Sequence, residues 1–416
     1  MSLYRIDKLF NFKKGVLQSS KCESGKYNFI TAAAEWKTHK EYSYDCEALV
    51  FAAAASGSLG RTHYVNGKFI SSDLCFIITP KDPKNFPIDL KFYHIIFNEF
   101  KKDIVKNTKA GTSKEAIGLT AFGKYELPYF EIEKQIEIKN QFVNAEECKE
   151  ELETELTHQQ DLLKLLRQSF LREAMQGKLV KQDKKDGNAS DLLQKIKAEK
   201  EKLIAEKKLK KEKPLPEIKK EEIPFEIPEN WVWCRLGEMS INCDGARVPI
   251  SQSDREMRKK IYDYYGASGV IDKIDGFTHE GKFLLIGEDG ANLIAKSTPI
   301  AFIAEGKFWV NNHAHVLNFI DDITLRFMEY CLNAIDIKPF ISGGFQPKLS
   351  QGNLNMMPIP LPPLSEQKRI VKKLEEVMNL CEELKTTITD NQNYTNQLLQ
   401  VALKDALQMK EVEVVT

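Results

Sequence analysis

Paired cysteines are missing from this chain. Its eight cysteines are scattered over 416 residues and none forms a CxxC pair. That argues against a zinc site and a disulfide framework, and it fits a reducing compartment. The N-terminal "MSLYRIDKLFNFKKG" lacks the apolar stretch of a signal peptide, and no apolar run is long enough to span a bilayer, so a cytoplasmic protein is expected. Catalytic signatures are missing too: there is no GxxxxGK(S/T) phosphate loop, no HExxH and no GxSxG. "HAH" (313–315) sets two histidines on one face of a strand with no third ligand nearby in sequence, so no metal is expected. "GEDGAN" (287–292) reads as an ordinary β-turn. His63 and Arg61 share the turn "SGSLGRTH", but no Ser/His/Asp set accompanies them.

A chain of this length predicts two domains or more. Net charge is zero but unevenly spread: residues 1–127 carry 19 Lys/Arg against 13 Asp/Glu, and residues 223–357 carry 13 against 17. A nucleic-acid binder usually shows a basic footprint. The first segment agrees weakly and the second does not.

What the chain does have is a repeat. "YELPYFEIEKQIEIKNQFV" from Tyr125 returns in worn form as "PIPLPPLSEQKRIVKKLEEV" from Pro358, and a shift of 232 residues sets Pro128 on Pro360 and Ile138 on Ile370. Both copies carry apolar positions in alternating steps of four and three. In the first, the predicted seam runs through Ile138, Phe142, Ala145, Lys149, Leu152, Leu156, Gln159, Leu163, Leu166 and Phe170. The second runs through Ile370, Leu374, Val377, Cys381, Leu384, Ile388, Asn391, Thr395, Leu398 and Ala402. A period of 3.5 is the coiled-coil signature. Gln159 and Asn391 would meet as a register-setting polar layer if the helices pair antiparallel about a dyad near residue 159. Pro358, Pro360, Pro362 and Pro363 predict a stiff, extended entry, with Ser365 capping the helix.

Upstream, "NGKFISSDLCFIIT" (66–79) resembles "EGKFWVNNHAHVLN" (305–318), and each lies in a β-rich run. The fold expected is therefore α+β: two β-rich domains in tandem, each followed by a long helix, the helices forming an antiparallel coiled coil with pseudo-twofold symmetry. The boundaries read 1–127 and 223–357 for the domains and 128–180 and 358–416 for the helices. Residues 181–222, with fourteen lysines, read as a solvated helical connector broken at Pro214 and Pro216. Two modules on a spacer suit a two-part target such as DNA.

The segments "LPPLSEQKRIV", "LLKLLRQSFLREAMQGKLV", "IPFEIPENWVWCRLGEM" and "GGFQPKLSQGNL" resemble the DNA-specificity subunits of type I restriction–modification systems, over essentially the whole chain. The resemblance implies a non-catalytic subunit. Its two recognition domains would each read one half of a split, asymmetric site in double-stranded DNA. Its helices would set the unread spacer and dock two modification subunits. It also implies that S-adenosylmethionine, ATP and Mg²⁺ belong to the modification and restriction subunits, with none bound by this chain. The missing (D/N/S)PP(Y/F/W) signature of an adenine methyltransferase agrees. The chain begins close to its first recognition domain, a departure from a common layout, and the intact repeat predicts an untruncated subunit.

Base readout needs short polar side chains, Arg or Lys on loops. The candidates are Ser56, Ser58, Arg61, His63, Asn107, Lys109, Thr112 and Lys114 in the first domain. In the second they are Arg247, Asn292, Asn312, Gln346 and Lys348. Two other readings stay open: a self-contained methyltransferase or nuclease with a disguised site, and a coiled-coil scaffold that binds protein.

Overall fold

The computed structural model describes residues 2–54, 57–110, 115–211 and 213–407. The chain forms two compact units, residues 1–156 with 391–416, and residues 157–390. Unit 1 runs β1 (Ser2–Arg5), α1 (Ile6–Leu9), β2 (Phe10–Lys14), β3 (Tyr27–Ile30), β4 (Lys37–His39), β5 (Tyr44–Ala52), β6 (Thr62–Ser71), β7 (Cys75–Pro80), α2 (Leu90–Glu99), α3 (Lys101–Thr108), β8 (Lys109–Ala110), β9 (Ala116–Ile117), α4 (Leu119–Lys124) and β10 (Glu126–Tyr129). The long helix α5 (Ile132–Met175) starts in unit 1 and ends in unit 2. Unit 2 continues with α6 (Ala189–Ala205), β11 (Val232–Arg235), α7 (Leu236–Met239), β12 (Ile241–Asn242), α8 (Gln252–Glu256), β13 (Tyr262–Gly266), β14 (Gly269–Ile274), β15 (His279–Gly287), α9 (Asn292–Ala295), β16 (Ala301–Val310), β17 (Ala314–Asn318), α10 (Asp322–Ala334), α11 (Gln351–Met356) and β18 (Pro358–Leu361). Helix α12 (Leu364–Ala406) starts in unit 2 and returns to unit 1. Among the described residues no helix is long and apolar enough to cross a membrane.

Both units contain the same six-stranded sheet. Its order is β2-β7-β5-β6-β3-β4 in unit 1 and β12-β17-β15-β16-β13-β14 in unit 2. In each, the fourth and fifth strands in this order run parallel, β6 beside β3 and β16 beside β13. Gly67 and Gly306, matched in the repeat, both sit in mid-strand with positive φ, +100° and +89°. That conformation costs glycine little and other residues much. A helix covers each sheet, and one asparagine pins it. Asn98 on α2 accepts from Thr62 N (3.1 Å) and donates to Thr62 O (3.0 Å) at the start of β6. Asn333 on α10 accepts from Ala301 N (3.2 Å) and donates to Ala301 O (2.8 Å) at the start of β16.

The clustered prolines build a strand. Pro358–Leu361 pairs antiparallel with Val232–Arg235, placing Pro358 opposite Arg235 and Pro360 opposite Trp233. Residues two apart share one hydrogen-bonding state in such a pair, so both prolines occupy positions where no N–H is required. Pro128, the repeat mate of Pro360, sits likewise opposite Leu3. Helix α12 then starts at Leu364, with Glu366 N and Gln367 N both donating to Pro363 O (3.0 Å). Ser365 is exposed within the first turn and is not the cap.

The long helices pair antiparallel. In unit 1, Ile138 shares a core with Leu403 and Leu407. In unit 2, Ala174 and Met175 share one with Ile370, Leu374 and Val377, and Arg167 pairs with Glu382 at 2.8 Å. The stripe withdrawn from solvent on α5 is Ile138, Phe142, Ala145, Lys149, Glu153, Leu156, Leu163, Arg167, Phe170 and Ala174. On α12 it is Ile370, Leu374, Val377, Cys381, Ile388, Gln392, Thr395, Leu399 and Ala406. Each stripe spans 36 residues, which is about ten turns at the 3.6 period of a straight helix. The expected period of 3.5 is thereby corrected. Leu152, Leu166, Leu384 and Leu398 are exposed, 41–51% of their surface, and Gln159 and Asn391 also lie on exposed faces. The physical reason is drift. A straight helix rotates about 20° per heptad against a 3.5 repeat, so the buried position moves from 152 to 153, from 166 to 167, from 391 to 392 and from 398 to 399.

The lysine-rich connector also differs from its expected solvated state. Asn188 Oδ1 accepts from Ser190 N (2.9 Å) at the start of α6. Ala189, Leu192 and Ile196 are buried in the unit 2 core with Trp231 and Leu374. Beyond α6, Arg235, only 2% exposed, donates to Pro216 O (3.1 Å), Glu217 O (3.1 Å) and Met356 O (2.6 Å). It also forms a two-pronged bond to Glu222 at 2.8 and 2.9 Å. Charge hid this: Lys195 and Lys202 are exposed, while Ala189, Leu192 and Ile196 make the buried face.

Candidate nucleic-acid interface

At one end of each sheet, three chain segments are stitched by the same backbone bonds. In unit 1, Ala53 N donates to Leu74 O (2.9 Å) and Ile117 N donates to Ala53 O (2.8 Å). This joins the β5–β6 loop, the β6–β7 turn and β9. In unit 2, Glu288 N donates to His313 O (2.9 Å) and Leu349 N donates to Glu288 O (2.8 Å). This joins the β15–α9 loop, the β16–β17 turn and the segment before α11. Ile117 and Leu349 thus hold corresponding places in the two units. Three loops converging on a rigid sheet end form a surface that can present side chains to a ligand.

Several candidate readers are committed to holding these loops instead. Arg61 donates to Ala32 O (2.9 Å) and Ser58 Oγ (3.4 Å), so both Arg61 and Ser58 brace the β5–β6 loop. His63 lies on β6 rather than in the turn. Its Nδ1 accepts from Trp36 Nε1 at 3.2 Å, beside a cavity of about 790 Å³ also lined by His94, Lys91 and Lys139. Burial holds the His63 pKa below the ordinary imidazole value, which favours the neutral ring. Asn107 on α3 donates back to Asp103 O (3.0 Å), and Lys109 pairs with Glu115 at 2.6 Å across the β8–β9 hairpin. Ser56, Thr112 and Lys114 lie outside the described residues.

In unit 2, Arg247 is half-buried. It donates to Glu288 (2.6 Å) and Ala314 O (2.8 Å) and pairs with Asp244 at 3.2 Å, which removes it from the exposed reader set. Asn292 accepts from Ser297 Oγ (2.9 Å) and Thr298 N (3.0 Å), closing its own loop. Asn312 and Gln346 are exposed. Lys348 is exposed and pairs with Glu288 at 3.3 Å. Asn312, Gln346 and Lys348 are therefore the members of the set best placed to meet a ligand.

The residues that sequence reasoning missed sit beneath the unit 2 loops. His315, 1% exposed, bonds Asp244 Oδ2 through Nδ1 (2.6 Å) and Leu349 O through Nε2 (2.8 Å). Asp244 Oδ1 accepts from Val316 N (2.7 Å). Burial pulls the His315 pKa down, but the hydrogen bond and charge of Asp244, with Leu349 O and Glu288, carry it above the ordinary value. Burial likewise opposes the Asp244 charge, and the hydrogen bonds and charges of His315, Val316 N and Arg247 hold its pKa below the usual carboxylate value. Both shifts favour an ion pair, Asp244 negative and His315 positive. The "HAH" motif was the available signal. Its histidines do not converge, since His313, in the turn, bonds Asp289 instead (2.8 Å).

The family described as "Type I restriction modification DNA specificity domain" matches residues 1–159 and 228–391. Over 265 residues the chain is 31% identical to the type I restriction enzyme EcoEI specificity subunit of Escherichia coli, covering 58% of this chain and 44% of that one. Over 151 residues it is 39% identical to a putative type I restriction enzyme specificity subunit, S.HindORF215P, of Haemophilus influenzae, covering 36% and 38%. The chain thus spans less than half the length of these relatives. Two solved structures share the fold at 16% identity. One comes from work on complex assembly and conformational transition of the type I R-M system (TM-score 0.64, 98% and 97% covered). The other is the HsdS subunit from Thermoanaerobacter tengcongensis (TM-score 0.59, 98% and 96% covered). With both of its units matched by the family model over more than half of its residues, this chain belongs to the type I restriction–modification DNA specificity domain family.

Proposed function

We propose that the chain is the sequence-reading subunit of a type I restriction–modification complex. Each unit reads one half of a split, asymmetric site in double-stranded DNA, and the long helices set the unread spacer. The observation that carries this reading is the duplication of the loop-bearing sheet end. One fold presents two such surfaces, as a two-part target requires. Asn312 and Gln346 have the donor–acceptor pattern that grips adenine, and Lys348 suits guanine or phosphate.

The helices dock two modification subunits, and restriction subunits join that assembly. Leu162, Leu165 and Leu166 on α5 and Leu380 and Leu384 on α12 are 42–60% exposed within unit 2, and exposed apolar clusters mark protein contacts. The chain itself does no chemistry in this reading. S-adenosylmethionine, ATP and Mg²⁺ are held by the partners, and the complex works in the cytoplasm.

A methylome tests the proposal. The chain is co-expressed with its neighbouring modification subunit in a methylation-free host, and modified adenines are mapped by long-read sequencing. A split motif with a fixed gap, dependent on this chain, is the expected result. Methylation that persists without the chain, or none despite a stable complex, would sink it.

A further inference from the structure

The tip of the third unit 2 loop reads Ser-Gly-Gly-Phe-Gln-Pro-Lys (342–348). Phe345 is fully exposed, more so than any other large apolar side chain among the described residues. Its loop has a built stem. Ser342 N donates to Lys348 O (2.8 Å), Lys348 N to Ser342 O (2.7 Å) and Gly290 N to Pro347 O (3.1 Å). Lys348 Nζ reaches Glu288 at 3.3 Å, which ties the stem to the ionic network below. Gly343 has φ +88°, and a Cβ there would lie 2.4 Å from Gln346 O, so the turn closes only around glycine. The ring is therefore presented by a braced turn.

We propose that Phe345 is an apolar wedge that enters the DNA duplex at the second half-site and unstacks one base step. This rests on the reading of the chain as a DNA-specificity subunit. An apolar ring in water gains by burial, and its neighbours decide what can bury it. Gly343, Gly344, Gln346 and Lys348 provide no apolar patch for a protein groove to cover. A parted base step buries a single ring on both faces, and such wedges kink duplexes toward the major groove. The flanking groups suit the same ligand, since an amide reads base edges and a cation neutralises phosphate. The corresponding segment of unit 1, residues 110–115, reads Ala-Gly-Thr-Ser-Lys-Glu and has no aromatic residue. The wedge therefore belongs to the more acidic unit, where an apolar contact adds affinity that salt does not screen.

The test uses the full chain assembled with its modification subunits and a duplex bearing the methylome-derived site. 2-Aminopurine replaces one base at a time across the second half-site. Binding by the parent complex raises fluorescence at one step. Phe345→Ala abolishes that rise and weakens binding about tenfold, the scale of one lost base–aromatic stack. Phe345→Leu retains much of both, and steps in the first half-site stay dark throughout. If the parent binds and no step brightens, or if Phe345→Ala brightens like the parent, the wedge is wrong while the DNA reading stands. If Phe345→Ala fails to assemble with the modification subunits, the ring is a protein contact and the wedge is again wrong. If the parent does not bind the site at all, the DNA reading falls and takes the wedge with it.

Discussion

The stitched loop ends of unit 1 carry Ala53, Leu74 and Ile117, with Phe76 buried beneath them. Those of unit 2 carry, at the positions bonded in the same way, Glu288, His313 and Leu349, with His315 buried beneath. Phe76 is buried in an aromatic cluster with Phe51 and Phe122 (centroids 6.3 and 5.4 Å apart). His315 takes its place with an ion pair and a carbonyl bond. The frame is thus a backbone property, set by strand order and by the stitching bonds, while the material under the loops is free to change. Apolar support constrains volume but not orientation, and it tolerates exchange. Ionic support fixes angle and register, and it fails when one partner is lost. The two units can diverge in what they hold while keeping how they hold it.

The comparison breaks most sharply at His315. His315→Phe gives unit 2 the unit 1 residue but removes the bonds to Asp244 and Leu349 O, leaving Asp244 with Arg247 at 3.2 Å. It is expected to destabilise unit 2 by about 3 kcal/mol, the cost of burying polar groups without their partner. Hydrogen exchange on the full chain should show the loss confined to residues 157–390, and adding Asp244→Ala should restore part of it. An unchanged exchange pattern would mean that the ion pair contributes nothing.

The shared pins should respond alike. Asn98→Ala and Asn333→Ala each orphan buried backbone groups at a strand start, at a cost of about 1–3 kcal/mol. Thermal unfolding followed by exchange should place one loss in each unit, of similar size. A large effect in one unit alone would mean that the pins are not equivalent.

Acidity should separate the units again. The stabilisation from Asp244 is present above its ordinary pKa near 4 and is lost as pH falls through its lowered folded value. The stabilisation from His315 is complete below about 6.5 and is lost as pH rises through its raised folded value. Protection of residues 244–248 and 342–349 should therefore plateau between about pH 4 and 6.5 and decline on both sides, while residues 53–61 show no such window. A flat profile in unit 2 would sink the assignment.

The smallest effects concern charge. Lys348→Ala should reduce the salt slope of DNA binding by about one phosphate contact, whereas Gln346→Ala should weaken binding without changing the slope. Equal slope changes would remove the distinction between phosphate and base contacts.

The repeat, the two β-rich domains and the two long helices were all legible in the chain, because periodicity and duplication are properties of a string. The phase of the helices was not. Apolarity favours Leu152 over Glu153, and only the drift of a straight helix against its neighbour decides that Glu153 is the one covered. The connector was misread for a related reason, since a lysine-rich composition does not reveal that Leu192 and Ile196 share a face. Arg61 and Arg247 looked like readers because free guanidinium groups read bases. Their carbonyl partners come from residues 29 and 67 positions away, Ala32 and Ala314.

By itself, then, the sequence determined the twofold plan of this protein, since local pattern is enough to specify elements and their order. Only the tertiary structure decided which polar residues stay open on the loops and which are used up inside them. Hydrogen bonds and ion pairs between distant segments exist only once the sheets have formed, and they set the free chemistry of Asn312, Gln346 and Phe345.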